Sequence, residues 1–181
     1  MSGIDEQVLV QRALQGDPEA FGELVQEYGR PVYNLALRMV GNAEDARDVT
    51  QNAFLKAWEK IGSFDGRSRL FSWIYRIALN ESLNHRRGRR PHEPLDEALP
   101  EPTAGPDQQF ERRKDAEIVQ AALARLNPGD REVLVFRHFL GLSYSEIGEV
   151  LQVPEKTVKS RLHTALVRLE VVLRRPGAGA R

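Results

Sequence analysis

Ser143-Tyr-Ser-Glu-Ile-Gly-Glu-Val-Leu151, then Gln152-Val-Pro154, then Glu155-Lys-Thr-Val-Lys-Ser-Arg-Leu-His-Thr-Ala-Leu166 decides how the second half of this chain folds. Ser143 with Glu146 three residues on forms a capping box, and Ile147, Val150 and Leu151 give the helix that follows an inward stripe. Gln152 to Pro154 has the length of a tight turn between two short helices. Wound at about 100° per residue, the second helix gathers Val158, Leu162, Ala165, Leu166, Leu169 and Leu173 into one apolar arc. Lys156, Lys159, Ser160, His163 and Thr164 fall on the other side, with no acid among them before Glu170. A short helix, a tight turn and a helix with an outward face of donors make a helix-turn-helix suited to the major groove. Two positions depart from the usual pattern: Gln152 stands where glycine is common, and Gly148 where alanine is.

Upstream of this motif the chain changes character. Between Pro91 and Pro106 stand five of the ten prolines, interleaved with Glu93, Asp96, Glu97 and Glu101. Such a stretch neither continues a helix nor pairs fully in a sheet, so it reads as an extended linker dividing the chain into two lobes. Elsewhere the patterning is helical. Asp17-Pro18-Glu19 is an N-cap followed by proline at the first helical position, with Phe21, Leu24, Val25 and Tyr28 at helix spacing, and Gly41-Asn42 ends a second helix. Period-two alternation is nowhere sustained, so both lobes are expected to be all-α.

The 26 basic and 26 acidic residues cancel, but their distribution does not. Residues 1–60 carry 6 basic and 10 acidic groups, 61–92 carry 7 and 2, 93–117 carry 3 and 8, and 118–181 carry 10 and 6. Two basic blocks flank an acidic one, as two sites for a polyanion would require. The absence of cysteine removes disulfide frameworks, thiolate zinc sites and thiol nucleophiles. No stretch approaches the ~18 apolar residues of a membrane span, and Met1 to Arg12 has no signal-type apolar run. A soluble intracellular protein is expected.

In the first lobe, residues 42–58 read as a helix with acids in its opening turns, as the macrodipole prefers. Ala46, Val49, Ala53, Ala57 and Ile61 point one way; Asp45, Asp48, Asn52, Lys56 and Glu59 share the opposite face, flanked by Gln51 and the apolar Leu55. Asp45 and Asp48 could also be read as paired carboxylates, but no histidine stands near them and the dipole already accounts for acids there. Phe64-Asp-Gly-Arg-Ser-Arg-Leu70 is a loop, and from Phe71 a helix carries Arg76, Asn80, Asn84 and Arg87 along one face with Leu83 among them. Amides and guanidiniums together suit single-stranded or melting DNA. Trp73 and Tyr75 fit a core better than a base platform. Arg86, Arg87, Arg89 and Arg90 supply phosphate affinity without sequence readout.

In this order, Asp45-Ala-Arg-Asp-Val-Thr-Gln-Asn-Ala-Phe-Leu-Lys-Ala-Trp58, Phe71-Ser-Trp-Ile-Tyr-Arg-Ile-Ala-Leu-Asn80, and Gly141-Leu-Ser-Tyr-Ser-Glu-Ile-Gly148 with Thr157-Val-Lys-Ser-Arg-Leu162 resemble the extracytoplasmic-function group of bacterial sigma factors over residues 18–173. The resemblance implies two small helical domains: a sigma-2 domain over 1–92, a linker over 93–112, a sigma-4 helix-turn-helix domain over 113–175 and a tail over 176–181. It implies that Asp48, Gln51, Asn52 and Leu55 dock on core RNA polymerase. Phe64, Arg67, Arg76, Asn80, Asn84 and Arg87 would then serve the −10 element, and Lys156, Lys159, Ser160, His163 and Thr164 the −35 element. Expected partners are core RNA polymerase, promoter DNA and an anti-sigma factor; no cofactor, metal, catalytic residue or membrane insertion is expected. The protein would be cytoplasmic, associated with the nucleoid in holoenzyme and held near the membrane if its anti-sigma factor sits there. The alternative is a stand-alone helix-turn-helix transcription regulator. Such a regulator would be expected to dimerise over two half-sites, and no heptad seam for that is evident.

Overall fold

The computed structural model describes residues 3–88 and 116–174, and these contain helices and no strand. The expected linker over 93–112, Arg89, Arg90 and the tail over 176–181 lie outside the described residues. The chain runs α1 (Gly3–Leu14), α2 (Pro18–Val40), α3 (Ala43–Lys60), a 3-10 turn (Ile61–Ser63) and α4 (Leu70–Gly88). After the gap come α5 (116–124), α6 (Pro128–Leu134) running into a π-helical turn (Val135–Phe139), α7 (Tyr144–Leu151) and α8 (Glu155–Leu173).

Local chemistry starts and stops these helices. Asp17 accepts from the amides of Glu19 and Ala20 ahead of Pro18, and Gly41 closes α2 in the left-handed region at φ 102°. The sequence suggested two helices between these signals; the structure has one of 23 residues that passes through Pro31. Proline costs one backbone hydrogen bond there, and burial of Tyr28, Val32, Leu35, Ala36 and Met39 on both sides of it outweighs the loss. A matched pair of caps opens α3 and α6. The Asn42 carbonyl oxygen accepts from the Asp45 amide at 2.8 Å while its NH₂ donates to the Asp45 carboxylate at 2.7 Å. Asn127 and Asp130 repeat the arrangement at 2.9 and 2.6 Å.

The two lobes expected on either side of the linker are not held apart. One apolar core runs from Leu9 and Leu24 through Trp73 and Tyr75 to Phe136, Ile147 and Leu162. Tyr75 of α4 stacks on Phe136, with ring centroids 6.3 Å apart. Arg131 is only 2% exposed; its Nε donates to the Leu123 carbonyl at 2.7 Å and its Nη1 crosses the seam to the Met39 carbonyl at 2.8 Å.

Candidate nucleic-acid interface

The helix-turn-helix forms as its sequence implies. Ser143 and Glu146 close a capping box, with the Ser143 amide donating to the Glu146 carboxylate at 2.8 Å. Those bonds, ahead of the ion pair with Arg69, hold the Glu146 carboxyl below its ordinary pKa. Gln152 takes the left-handed conformation at φ 55°, so it does the work of the missing glycine. The glycine at 148 has a separate reason: a Cβ there would stand 2.8 Å from the Val153 carbonyl oxygen, so the turn closes directly onto the first helix.

Helix α8 is seated by its first half. Val158, Leu162 and Ala165 are buried and Leu169 is half-buried, whereas Leu166 and Leu173 are 42% and 47% exposed. The apolar arc read from the sequence therefore meets the core only in part. Two acids of α6 add ion pairs along the helix: Glu132 lies 3.8 Å from Arg161 in the seated half, and Asp130 pairs with Arg168 beyond it. Glu132 is 9% exposed, and burial raises its pKa to about 7, opposed by Arg161.

On the outer face Lys156, Lys159, Ser160 and His163 are exposed, and Thr164 is half-buried with its hydroxyl donated to the Ser160 carbonyl at 3.1 Å. Lys159 is not idle in the free protein. It pairs with Glu155 at 2.6 Å and lies over the Tyr144 ring, whose centroid is 5.4 Å away. Arg137 lies over the same ring at 5.0 Å. Arg137 adds a cation beside α8 that wheel arithmetic on that helix alone could not bring in, whereas Arg161 and Arg168 of α8 itself are paired with Glu132 and Asp130.

In the first lobe α3 buries Ala46, Val49, Ala53, Phe54 and Ala57 and leaves Asp48, Gln51, Asn52 and Leu55 exposed, Leu55 at 53%. Asp45 does not share that outer face. It is 4% exposed, held by Asn42 and placed 3.1 Å from His85 Nε2. Its cap role pulls it inward, so Asp45 and Asp48 do not converge. Lys56 of α3 reaches Glu81 of α4 at 2.7 Å.

Helix α4 buries Leu70, Ser72, Trp73, Ile74, Tyr75, Ala78, Leu79 and Ser82. On the other side Asn80, Asn84 and Arg87 are exposed and Arg76 half-exposed; Leu83, expected among them, packs against the core. Trp73 and Tyr75 are core residues, 8% and 6% exposed. In the loop before α4, Phe64 is half-buried with its ring 5.5 Å from Trp73. Arg67 is exposed, and its amide donates to the Asp65 carboxylate at 3.0 Å across Gly66, which has φ 70°. Arg69 and Ser72, not singled out by the sequence, both contact acids of α7.

A groove-sized helix with basic neighbours and a second basic helix bearing exposed amides, carried on one all-α body, define a protein built to hold promoter-like DNA. Residues 24–92 match the model of Sigma-70 region 2, and residues 116–169 match that of Sigma-70, region 4. The RNA polymerase sigma-H factor of Pseudomonas aeruginosa is 36% identical over 93% of each chain. The ECF RNA polymerase sigma-E factor of Escherichia coli is 33% identical over 90% of this chain and 91% of its own. The structure of CnrH, solved in complex with the cytosolic domain of CnrY, superposes at a TM-score of 0.74 with 27% identity, covering 96% of this chain and 99% of that one. The chain belongs to the extracytoplasmic-function group of the sigma-70 family. It is an alternative sigma factor, a transcription initiation factor that directs RNA polymerase to promoters.

Proposed function

We propose that residues 1–92 act as the sigma-2 domain, 113–175 as the sigma-4 domain and 93–112 as the linker between them, with 176–181 a tail. Asp48, Gln51, Asn52 and Leu55 dock on core polymerase. They form one exposed patch on α3, and Leu55 supplies the apolar centre that an interface built on polar groups needs.

The −10 element is opened and held by Phe64, Arg67, Arg76, Asn80, Asn84 and Arg87. The observation that carries this is the face of α4. Asn80 and Asn84 stand one turn apart, exposed between arginines, on a helix whose opposite side is locked in the core. Extruding a base costs a few kcal/mol, and stacking with edge contacts repays roughly 1–3 kcal/mol per base, so melting needs a rigid, preformed acceptor. Lys156, Lys159, Ser160, His163 and Thr164 read the −35 duplex. Each surface binds weakly alone; polymerase sets their spacing and raises the effective concentration of the second contact.

The chain performs no turnover of its own and works in the cytoplasm, without insertion in the membrane; none of its described helices is long and apolar enough to cross one. CnrH was solved with the cytosolic domain of CnrY, which supports an anti-sigma partner for this chain as well.

Run-off transcription with core polymerase tests the whole reading. Asp48→Arg should abolish co-purification with core polymerase while leaving the helical content intact, because the residue is exposed and outside the core stripe. Retention of polymerase at wild-type levels would remove α3 from the docking surface.

A further inference from the structure

One aromatic ring joins three elements of the helix-turn-helix. Tyr144 is the first residue of α7, directly after the capping Ser143; it is half-buried and packs against the core. The Lys159 ammonium of α8 lies 5.4 Å from its ring centroid, and the Arg137 guanidinium, from the π-helical turn, lies 5.0 Å from the same centroid. Both distances fall within the ~6 Å over which a ring face attracts a cation. Arg137 is itself tied down, since its Nη1 donates to the Leu142 carbonyl at 3.0 Å. The ring is therefore a fixture of the domain, and Lys159, whose other partner is Glu155 at 2.6 Å, rests on it from α8.

A lysine carries its charge on a flexible four-carbon stem, so a lysine that must order itself when it meets DNA loses part of the contact to rotamer entropy. Glu155 restrains the ammonium but competes for it, because that ion pair has to open before a base acceptor can be reached. The Tyr144 ring restrains without competing in this way. Attraction to a ring face needs no hydrogen-bond geometry, and the methylene stem can keep its apolar contact with the ring as the charged head advances.

We propose that Tyr144 is a positioning residue for −35 readout: its ring holds the Lys159 side chain, before DNA arrives, in the few rotamers from which the ammonium can reach a base acceptor. The proposal rests on the reading of α8 as the −35 helix given above. The ring face is the part that matters. Phenylalanine at this position retains both the apolar surface and the ring quadrupole, whereas leucine retains an apolar side chain and offers the ammonium nothing.

Transcription by holoenzyme across a panel of −35 substitutions tests this with Tyr144→Phe, Tyr144→Leu, Lys159→Ala and the Tyr144→Leu, Lys159→Ala pair in the full-length chain. Tyr144→Leu should narrow the ratio between the preferred element and its substituted forms by about two- to fivefold. Tyr144→Phe should keep that ratio, and the double variant should discriminate no worse than Lys159→Ala alone, because both changes remove the same contact. A ring with only a structural role would lower activity uniformly over the panel; that result overturns the proposal, as does a loss in Tyr144→Phe equal to that in Tyr144→Leu, or a Tyr144→Leu loss that adds to that of Lys159→Ala. Undiminished discrimination in Lys159→Ala removes the −35 reading of this lysine and the proposal with it. A loss there with none in Tyr144→Leu overturns the proposal alone. If Tyr144→Leu misfolds, NMR of the wild-type protein decides: the ring should move the Lys159 ε-methylene protons upfield of their position in a solvent-exposed lysine, and unshifted protons overturn the positioning role.

Discussion

Helices α4 and α8 are both 19 residues long and both present the polar faces that we propose meet DNA, yet they are held in opposite ways. Eight residues of α4 are buried, against Val158, Leu162 and Ala165 in α8. Helix α4 is clamped by α2 and α3 on one side and α7 on another, and cross-ties from Lys56 and Asp45 reach its second half at Glu81 and His85. Helix α8 rests on α6 and α7 mainly by its first half, where Glu132 also pairs with Arg161, and is steadied further on by Asp130. The difference matches the two tasks. Holding an extruded base repays its cost only if the acceptor does not have to order itself at the same moment, whereas a helix entering a groove must stand clear of its own domain.

The largest way to break this comparison is in the clamp. Trp73→Ala should cost the first lobe about 3–5 kcal/mol, since the ring is buried and packs on Phe64. Val171→Ala, at a position 49% exposed on α8, should change stability by less than about 0.5 kcal/mol. Chemical denaturation of both variants measures the pair, and equal losses would mean that α8 is as deeply held as α4.

Next in size is the opening step. Asn80→Ala and Asn84→Ala should lower transcription from a duplex promoter by an amount on the order of a few kcal/mol in opening free energy, and lose most of that defect on a template already melted across the −10 element. Both side chains are exposed, so the fold should not change. An equal defect on melted and duplex templates would place their role elsewhere.

A subtler test addresses what steadies α8. Because burial raises the Glu132 pKa from 4.5 to about 7, the folded protein holds a proton between those pH values that the unfolded chain has released. Stability should therefore rise as pH falls from about 7 to about 4.5, by about 3 kcal/mol. Glu132→Gln should remove that slope and stabilise the protein at neutral pH. A slope unchanged in the variant would assign it to another group.

How far the sequence disclosed this organisation depends on the range of the interaction. Caps and periodicity act over three or four residues, so the Ser143–Glu146 box, the Asp17 cap and, apart from Asp45 and Leu83, the faces of α3 and α4 could be read directly. Asp45 was misplaced because wheel position says nothing of a cap that turns a carboxylate inward toward His85. The continuity of α2 through Pro31 depends on partners in α3 and α4, and the exposure of Leu166 and Leu173 on which side of α8 the core covers. Neither is a local property. The contacts between the lobes join residues 77 and 92 positions apart, with nothing in the patterning of either lobe to announce them.

The smallest effect concerns the reading face itself. Lys159 lies within the first turns of α8, where recognition helices usually meet base edges, but in the free protein its ammonium is engaged by Glu155 and the Tyr144 ring. Those contacts raise its pKa, Glu155 first, so it is a cation at any pH of interest. To touch a base acceptor it must leave Glu155, which trades a charged partner for a neutral one and leaves only a modest net gain. Lys159→Ala should therefore reduce discrimination among −35 variants by about tenfold, not abolish it. Glu155→Gln, which frees the lysine in advance, should raise affinity with the preference retained. The assay is transcription by holoenzyme across a panel of −35 substitutions at two salt concentrations. A uniform loss over the panel with a salt slope lower by about one would make Lys159 a phosphate contact. Unchanged activity would take α8 out of the interface.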